Sequence, residues 1–208
     1  MKYTQYIVDF VKFLQGKGLT RGATPEQVCD ALHTAQLDLY ETYLSELEKN
    51  RLVRKYLEPF LKSDKLEKEG DGMFPLPEYA LHARVENAVG RRVEIISEGQ
   101  WSHRIDNTVT GPSERYPIGR IESGKMKVLP DTEIVNFYYY KPLVKPHYHY
   151  EYIGSKLEYR EDKTIDIDWT DIIVPKLTAA TLKILQIPLR EELQVEFGLE
   201  PKRTAITE

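Results

Sequence analysis

The segment Pro146–Tyr152, PHYHYEY, sets His147, His149 and Glu151 at alternate positions, and these are residue types that ligate zinc. Alternate residues of a strand share one face, so the three side chains stand in a line. Zinc needs three or four ligands around one ion, whereas positions i, i+2 and i+4 span about 13 Å. The spacing therefore points to a solvated or interfacial strand. A second group, Asp162, Asp166, Asp168 and Asp171, has the carboxylates for calcium but lacks the Gly and the final Glu of an EF-hand loop. The simpler expectation leaves Asp166 facing solvent at a strand end, with Asp168 as N-cap and Asp171 in the first turn of a final helix. Cys29 stands alone, which leaves no disulfide or cysteine-based metal framework, and its helical context predicts a buried thiol. Ser102-His103, His33 and His82 carry no triad logic and read as surface or packing residues. Phosphate-loop, dinucleotide-binding, nucleophile-elbow and H-E-x-x-H motifs are all missing from the chain. No catalytic, cofactor-binding or metal residue is assigned, and no cofactor is expected.

What the segment does offer is contact area. Six of the 14 tyrosines lie between Tyr138 and Tyr152. On a strand, Phe137 and Tyr139 face one way and Tyr138 and Tyr140 the other, so one pair belongs to the core. Tyr148, Tyr150 and Tyr152 follow Pro142 and Pro146, where little core is expected to cover them. Tyrosine gives large contact area at low entropic cost and is enriched at interfaces. The expected subunit-interface residues are Tyr148, Tyr150, Tyr152 and Tyr159, with Trp101 and Tyr40.

The elements that must position these residues can be read along the chain. Tyr6, Ile7, Phe10, Val11, Phe13 and Leu14 predict a helix over residues 3–15, stopped by Gly16 and Gly18. Thr24-Pro25-Glu26-Gln27 is a capping box with Pro at N1, opening a helix that is apolar over more than one stripe and so buried on two sides. A broken helix ends near Pro59, followed by a solvated loop, KSDKLEKEGDG. MFPLPEY reads as an extended edge segment, and Leu81–Val89 with Arg92–Ile96 as a hairpin. Ser97-Glu98-Gly99-Gln100 launches a short helix. Strands then follow at Ile118–Glu122, Lys125–Leu129 and Glu133–Tyr140, with turns at Ser123-Gly124 and Pro130-Asp131. His147–Tyr152 and Lys156–Tyr159 predict a protruding hairpin, and helices are expected from Asp168 and over Leu189–Phe197.

The fold class expected is thus α+β: helical N- and C-terminal segments packed with a small antiparallel β-meander that carries a short helical insertion and a projecting hairpin arm. Its parts are an N-terminal helical segment at 1–70 and a β-rich region at 71–165, with a helix near 97–107 and an arm at 141–164. C-terminal helices at 166–198 and a tail at 199–208 complete it. At 208 residues, with 41% hydrophobic and 30% charged residues, the chain can bury a sizeable core and is not a disordered type. No apolar run approaches the roughly 18 residues that span a bilayer, and no membrane partner is expected. The first residues lack a signal-peptide core, so synthesis in a reducing cytoplasm is expected. The 29 basic and 33 acidic residues are evenly spread, without the basic stripe that tight DNA binding requires.

The order of several segments resembles a known family. They are ALHTAQLDLYETYL and LEPFLK, then DGMFPLPEYALHARVEN and VEIISEGQWSHRI, then YPIGRIESGKMKVLP, EIVNFYYYKPLVKP and IDIDWTDIIVPKLTAATLKIL. In this order they resemble the small head–tail connector (ring or adaptor) virion proteins of tailed phages, particularly crAss-like and related Bacteroidetes phages. The resemblance covers most of the chain; residues 1–15 and the 147–160 hairpin are less covered. It implies a non-enzymatic subunit of a closed ring, often a dodecamer, stacked between portal and tail in the virion. Implied partners are other copies of the chain, the portal protein and neighbouring connector or tail proteins, with genomic DNA passing through the ring without sequence-specific binding. Two other readings are a tail-associated receptor- or carbohydrate-binding module that stacks sugars on its tyrosines, and a small metal-dependent hydrolase using His147, His149 and the 162–171 aspartates.

Overall fold

The computed structural model describes residues 2–18, 22–107, 109–154 and 156–187. The helix expected at 189–197 and the tail lie outside the described residues. In chain order the elements are helices α1 (Tyr3–Gly16), α2 (Pro25–Glu46) and α3 (Arg51–Leu57), then strands β1 (Leu61–Glu67), β2 (Phe74–Pro75), β3 (Leu81–Asn87) and β4 (Glu94–Ile95). Helix α4 (Glu98–Ile105) leads into β5 (Ile118–Glu122), β6 (Lys125–Leu129) and β7 (Ile134–Tyr140). The hairpin β8 (Tyr150–Ile153) and β9 (Lys156–Tyr159) and helix α5 (Val174–Ile184) complete the series. This is an α+β fold with helices at both ends and a strand meander between them. Two compact units divide it: one formed by the residues up to Pro59 with those from Leu143 onward, the other by Phe60–Pro142.

In the helical unit, α2 starts where the capping box requires. Thr24 Oγ1 accepts from the Gln27 N–H at 3.3 Å, and Gln27 Oε1 accepts from the Thr24 N–H at 2.9 Å. Helix α2 then packs against α1, α3 and α5. Its Tyr40 and Tyr43 meet Trp169 edge-on, with ring centroids 6.2 and 6.0 Å apart. The second apolar stripe is only partly used, because Leu37 is left exposed. On α1 the buried stripe is turned relative to expectation. Ile7, Val11 and Leu14 are buried together with Thr4 and Val8, while Tyr6 and Phe13 are exposed. Two buried threonines of α5, Thr178 and Thr181, donate to the Val174 and Leu177 carbonyls one turn back, at 2.9 and 2.8 Å. Bonding within the helix is what allows those hydroxyls into the core.

The aspartate expectations need correction. Helix α5 begins at Val174, six residues beyond Asp168, so neither Asp168 nor Asp171 caps it. Pro175 explains the late start: it lacks an N–H and fits only the first turn. Nor does Asp166 face solvent freely. Its carboxylate accepts from the backbone N–H groups of Tyr3 and Thr4 at 3.1 and 2.8 Å, and from Thr4 Oγ1 at 3.0 Å. Helix α1 has no side-chain cap from its own N-cap residue, Lys2, and takes this cap from more than 160 positions away.

In the other unit, a three-stranded antiparallel sheet runs β1-β7-β3 and a four-stranded sheet runs β2-β6-β5-β4. Phe74, Val85, Val93, Met126, Val128, Val135, Phe137 and Tyr139 from both sheets fill one core. The charged stretch read as a solvated loop is largely strand β1, paired with β7 from Leu61↔Tyr140 to Glu67↔Ile134. Its side chains are nearly all exposed while its backbone is paired, and charge of that kind is how an edge strand avoids further pairing. The edge position expected for MFPLPEY holds for β2, which pairs only with β6.

The hairpin expected from Leu81 to Ile96 survives only at its tip, where the Asn87 N–H reaches the Arg91 carbonyl at 2.9 Å and the Val93 N–H reaches Val85 at 2.8 Å. Beyond Val93 the chain leaves for the second sheet, where β4 pairs parallel with β5. Close approach at Gly119 permits that pairing, since a Cβ there would meet Ile95 Cδ1 at 2.8 Å. Strands β5 and β6 form the expected hairpin. Ser123 and Gly124 at its turn both have positive φ, 49° and 76°, which matches the twist of the flanking strands. The next strand, β7, has the expected extent and becomes the central strand of the first sheet.

Candidate functional site

The hairpin β8–β9 and the extended chain on either side of it are held by both backbone and side chains. His147 and Ile165 exchange backbone hydrogen bonds at 3.1 and 2.9 Å. The Arg160 N–H donates to the His149 carbonyl at 3.0 Å. Thr164 Oγ1 accepts from the His149 N–H at 3.1 Å and donates to the Arg160 carbonyl at 2.8 Å, closing the base.

Alternation then sorts the side chains onto two faces. On one, Tyr148 is buried, 4.8 Å from the Tyr159 ring. The Lys12 ammonium lies 4.5 Å from the Tyr148 ring centroid and donates to its hydroxyl at 3.2 Å. Tyr150 donates its hydroxyl to Glu26 of α2 at 3.2 Å, and that carboxylate pushes the tyrosine's pKa up. Lys145, on the approach to the hairpin, pairs with Asp30 at 2.6 Å. At the tip, Tyr152 is 75% exposed and Ile153 is 44% exposed.

The opposite face is polar. His149 Nδ1 lies 3.4 Å from His147 Nε2, and His149 Nε2 lies 3.2 Å from Glu151 Oε1. Glu151 also takes Lys163 at Oε1 and Arg160 at Oε2, the latter at 3.2 Å. Lys163 first, then His149, hold the Glu151 carboxyl down at about 2. The row His147–His149–Glu151 is therefore a chain of contacts ending in an ion-pair cluster. Among the described residues, no three His, Cys, Asp or Glu side chains form a group that could hold a metal ion.

The six expected interface residues separate sharply. Tyr40 is buried against Trp169, and Trp101 is buried with Ile96 and Ile118 beneath an Arg120 guanidinium 5.4 Å from its ring. Tyr148 is buried at the hairpin base, while Tyr150 and Tyr159 are half-buried there. Only Tyr152 of the six presents most of its surface. Tyr148 and Tyr150 take their cover from Lys12 of α1 and Glu26 of α2, and Tyr40 from Trp169, all more than 100 positions away in sequence, whereas Trp101 is covered by Ile96 and Ile118 close by in the chain. Because of that distance Lys12 and Glu26 carry no sequence signal as hairpin anchors, while Arg160 and Lys163 reach Glu151 from only 9 and 12 positions away. Cys29 is buried as expected, and burial pushes its thiol pKa up, away from nucleophilic reactivity. Ser102 and His103 are exposed on α4, while His82 is half-buried, with burial lowering its pKa.

No protein-family model matches the chain, and no curated protein matches it in sequence. No helix among the described residues is long and apolar enough to cross a membrane.

Proposed function

We propose that the chain is a non-enzymatic virion structural protein, a subunit of an oligomeric ring in a phage head–tail connector that links portal to tail. One observation carries this reading: the β8–β9 hairpin holds Tyr152 and Ile153 in solvent on a base locked into α1 and α2 through Lys12, Glu26 and Asp30. An apolar tip on a fixed base gives up little conformational freedom on docking, which favours a standing subunit contact. The segment order, which resembles that of connector proteins, is in keeping with the same reading. Mild, evenly spread acidity suits a ring through which DNA slides without sticking.

The test is the assembly state of the full chain, by negative-stain imaging and native mass measurement, beside a Tyr152→Ser/Ile153→Ser variant. Closed rings for the unaltered chain and smaller species for the variant, at equal melting temperature, are expected. A chain that stays monomeric and binds glycans through Tyr152 would replace the ring reading with the carbohydrate-binding one. Rings unaffected by the substitutions would remove the hairpin from the interface.

A further inference from the structure

Helix α2 carries five acidic residues and neither Lys nor Arg, while α3 carries three basic residues and no acidic one. The first two acids of α2 are used within the protomer: Glu26 by Tyr150 and Asp30 by Lys145. Further along, Asp38 and Glu41 are exposed beside Leu37, which is itself 40% exposed. On α3, Val53 and Leu57 are buried, and Arg51, Arg54 and Lys55 are exposed with Leu52, which is 62% exposed. Arg54 Nε also donates to the Leu47 carbonyl at the end of α2 at 3.4 Å. Among the described residues, none of Asp38, Glu41, Arg51, Arg54 and Lys55 forms a salt bridge. The helical unit thus presents two patches of about one helical turn each. Both have an exposed leucine at the centre, and their charges are opposite.

We infer that these patches are the two halves of one subunit contact: Leu37, Asp38 and Glu41 of one copy receive Arg51, Leu52, Arg54 and Lys55 of the next. This rests on the ring reading and names a surface for it besides the hairpin tip. Charge complementarity selects a second copy as the occupant, because the same chain carries both halves. Joining two different surfaces of one chain is the head-to-tail arrangement from which rings are built when the rotation between copies closes. The leucines supply apolar burial, and the charges set orientation and reject like-with-like pairing of the patches.

The experiment is a charge swap on the full chain, read by native mass measurement and sedimentation. Asp38→Lys/Glu41→Lys alone and Arg51→Glu/Arg54→Glu alone are each expected to weaken assembly about tenfold or more. Mixing the two variants, or joining all four substitutions in one chain, restores it. All positions are exposed, and unchanged circular dichroism and melting confirm that each variant folds. Assembly of the unaltered chain should also weaken in about 1 M salt, where the screening length is about 3 Å. Rings that form equally well in both charge variants overturn this contact and leave the ring reading standing. Swap-sensitive dimers that never close overturn the ring and keep the contact. A chain that stays monomeric at every concentration overturns both.

Discussion

Asp166 shows how one side chain can terminate an element that its own neighbourhood leaves open. The first N–H groups of a helix need acceptors, and a carboxylate there also answers the helix dipole. Replacing Asp166 by Ala removes the acceptor of three hydrogen bonds and should destabilise the chain by about 1–2 kcal/mol in urea unfolding. Asp166→Asn should recover part of that loss, and an Ala variant as stable as the parent would refute the cap. Glu151 allows a second test at this scale, through pH. Its carboxyl is depressed from 4.5 to about 2 by Lys163, His149 and Arg160. A depressed pKa means the tie contributes above pH 4.5 and is lost as pH falls toward 2. In a titration followed by NMR, the Glu151 carboxyl should respond near 2, and Lys163→Ala should move it back toward 4.5. A midpoint already at the ordinary value in the parent chain would remove the ion-pair cluster.

At the scale of elements, the β8–β9 hairpin is more than an appended arm. Its tip is free, but Tyr148 at the base is buried, and His147 and Thr164 tie the base to residues 160–165. Removing residues 147–160 whole would therefore strip the core of the helical unit, so tip substitutions are the cleaner probe of assembly. Tyr148→Ala should lower stability by about 3–5 kcal/mol, as for other large aromatic side chains removed from a core. Tyr152→Ala should change it by less than about 0.5 kcal/mol, as for a surface site. Equal losses at the two positions, measured by thermal unfolding, would contradict the division between base and tip.

For the whole molecule, the continuous segment Phe60–Pro142 forms one compact unit, and the residues before and after it in the chain form the other. Its core draws on both sheets, and its strands pair only among themselves. Residues 60–142 expressed alone should fold cooperatively and show dispersed amide resonances. A collapsed, uncooperative product would mean that the unit depends on the rest of the chain. The local signals in the sequence were enough for the α2 start, the α4 start, the β5–β6 hairpin and the extent of β7. In each, capping residues or turn residues lie within a few positions of what they control. Partners distant in sequence were not legible. Strand β1 reads as wet loop because its stability comes from the backbone of β7, and Tyr148 reads as exposed because Lys12 and Tyr159 cover it only after folding.

Local spacing and composition already specify where most elements begin and turn, the α+β class and the absence of familiar catalytic motifs. Tertiary structure alone decided which strands pair, which tyrosines remain free, and where Asp166 spends its carboxylate. Those outcomes depend on contacts between residues scores of positions apart, and no local pattern encodes them.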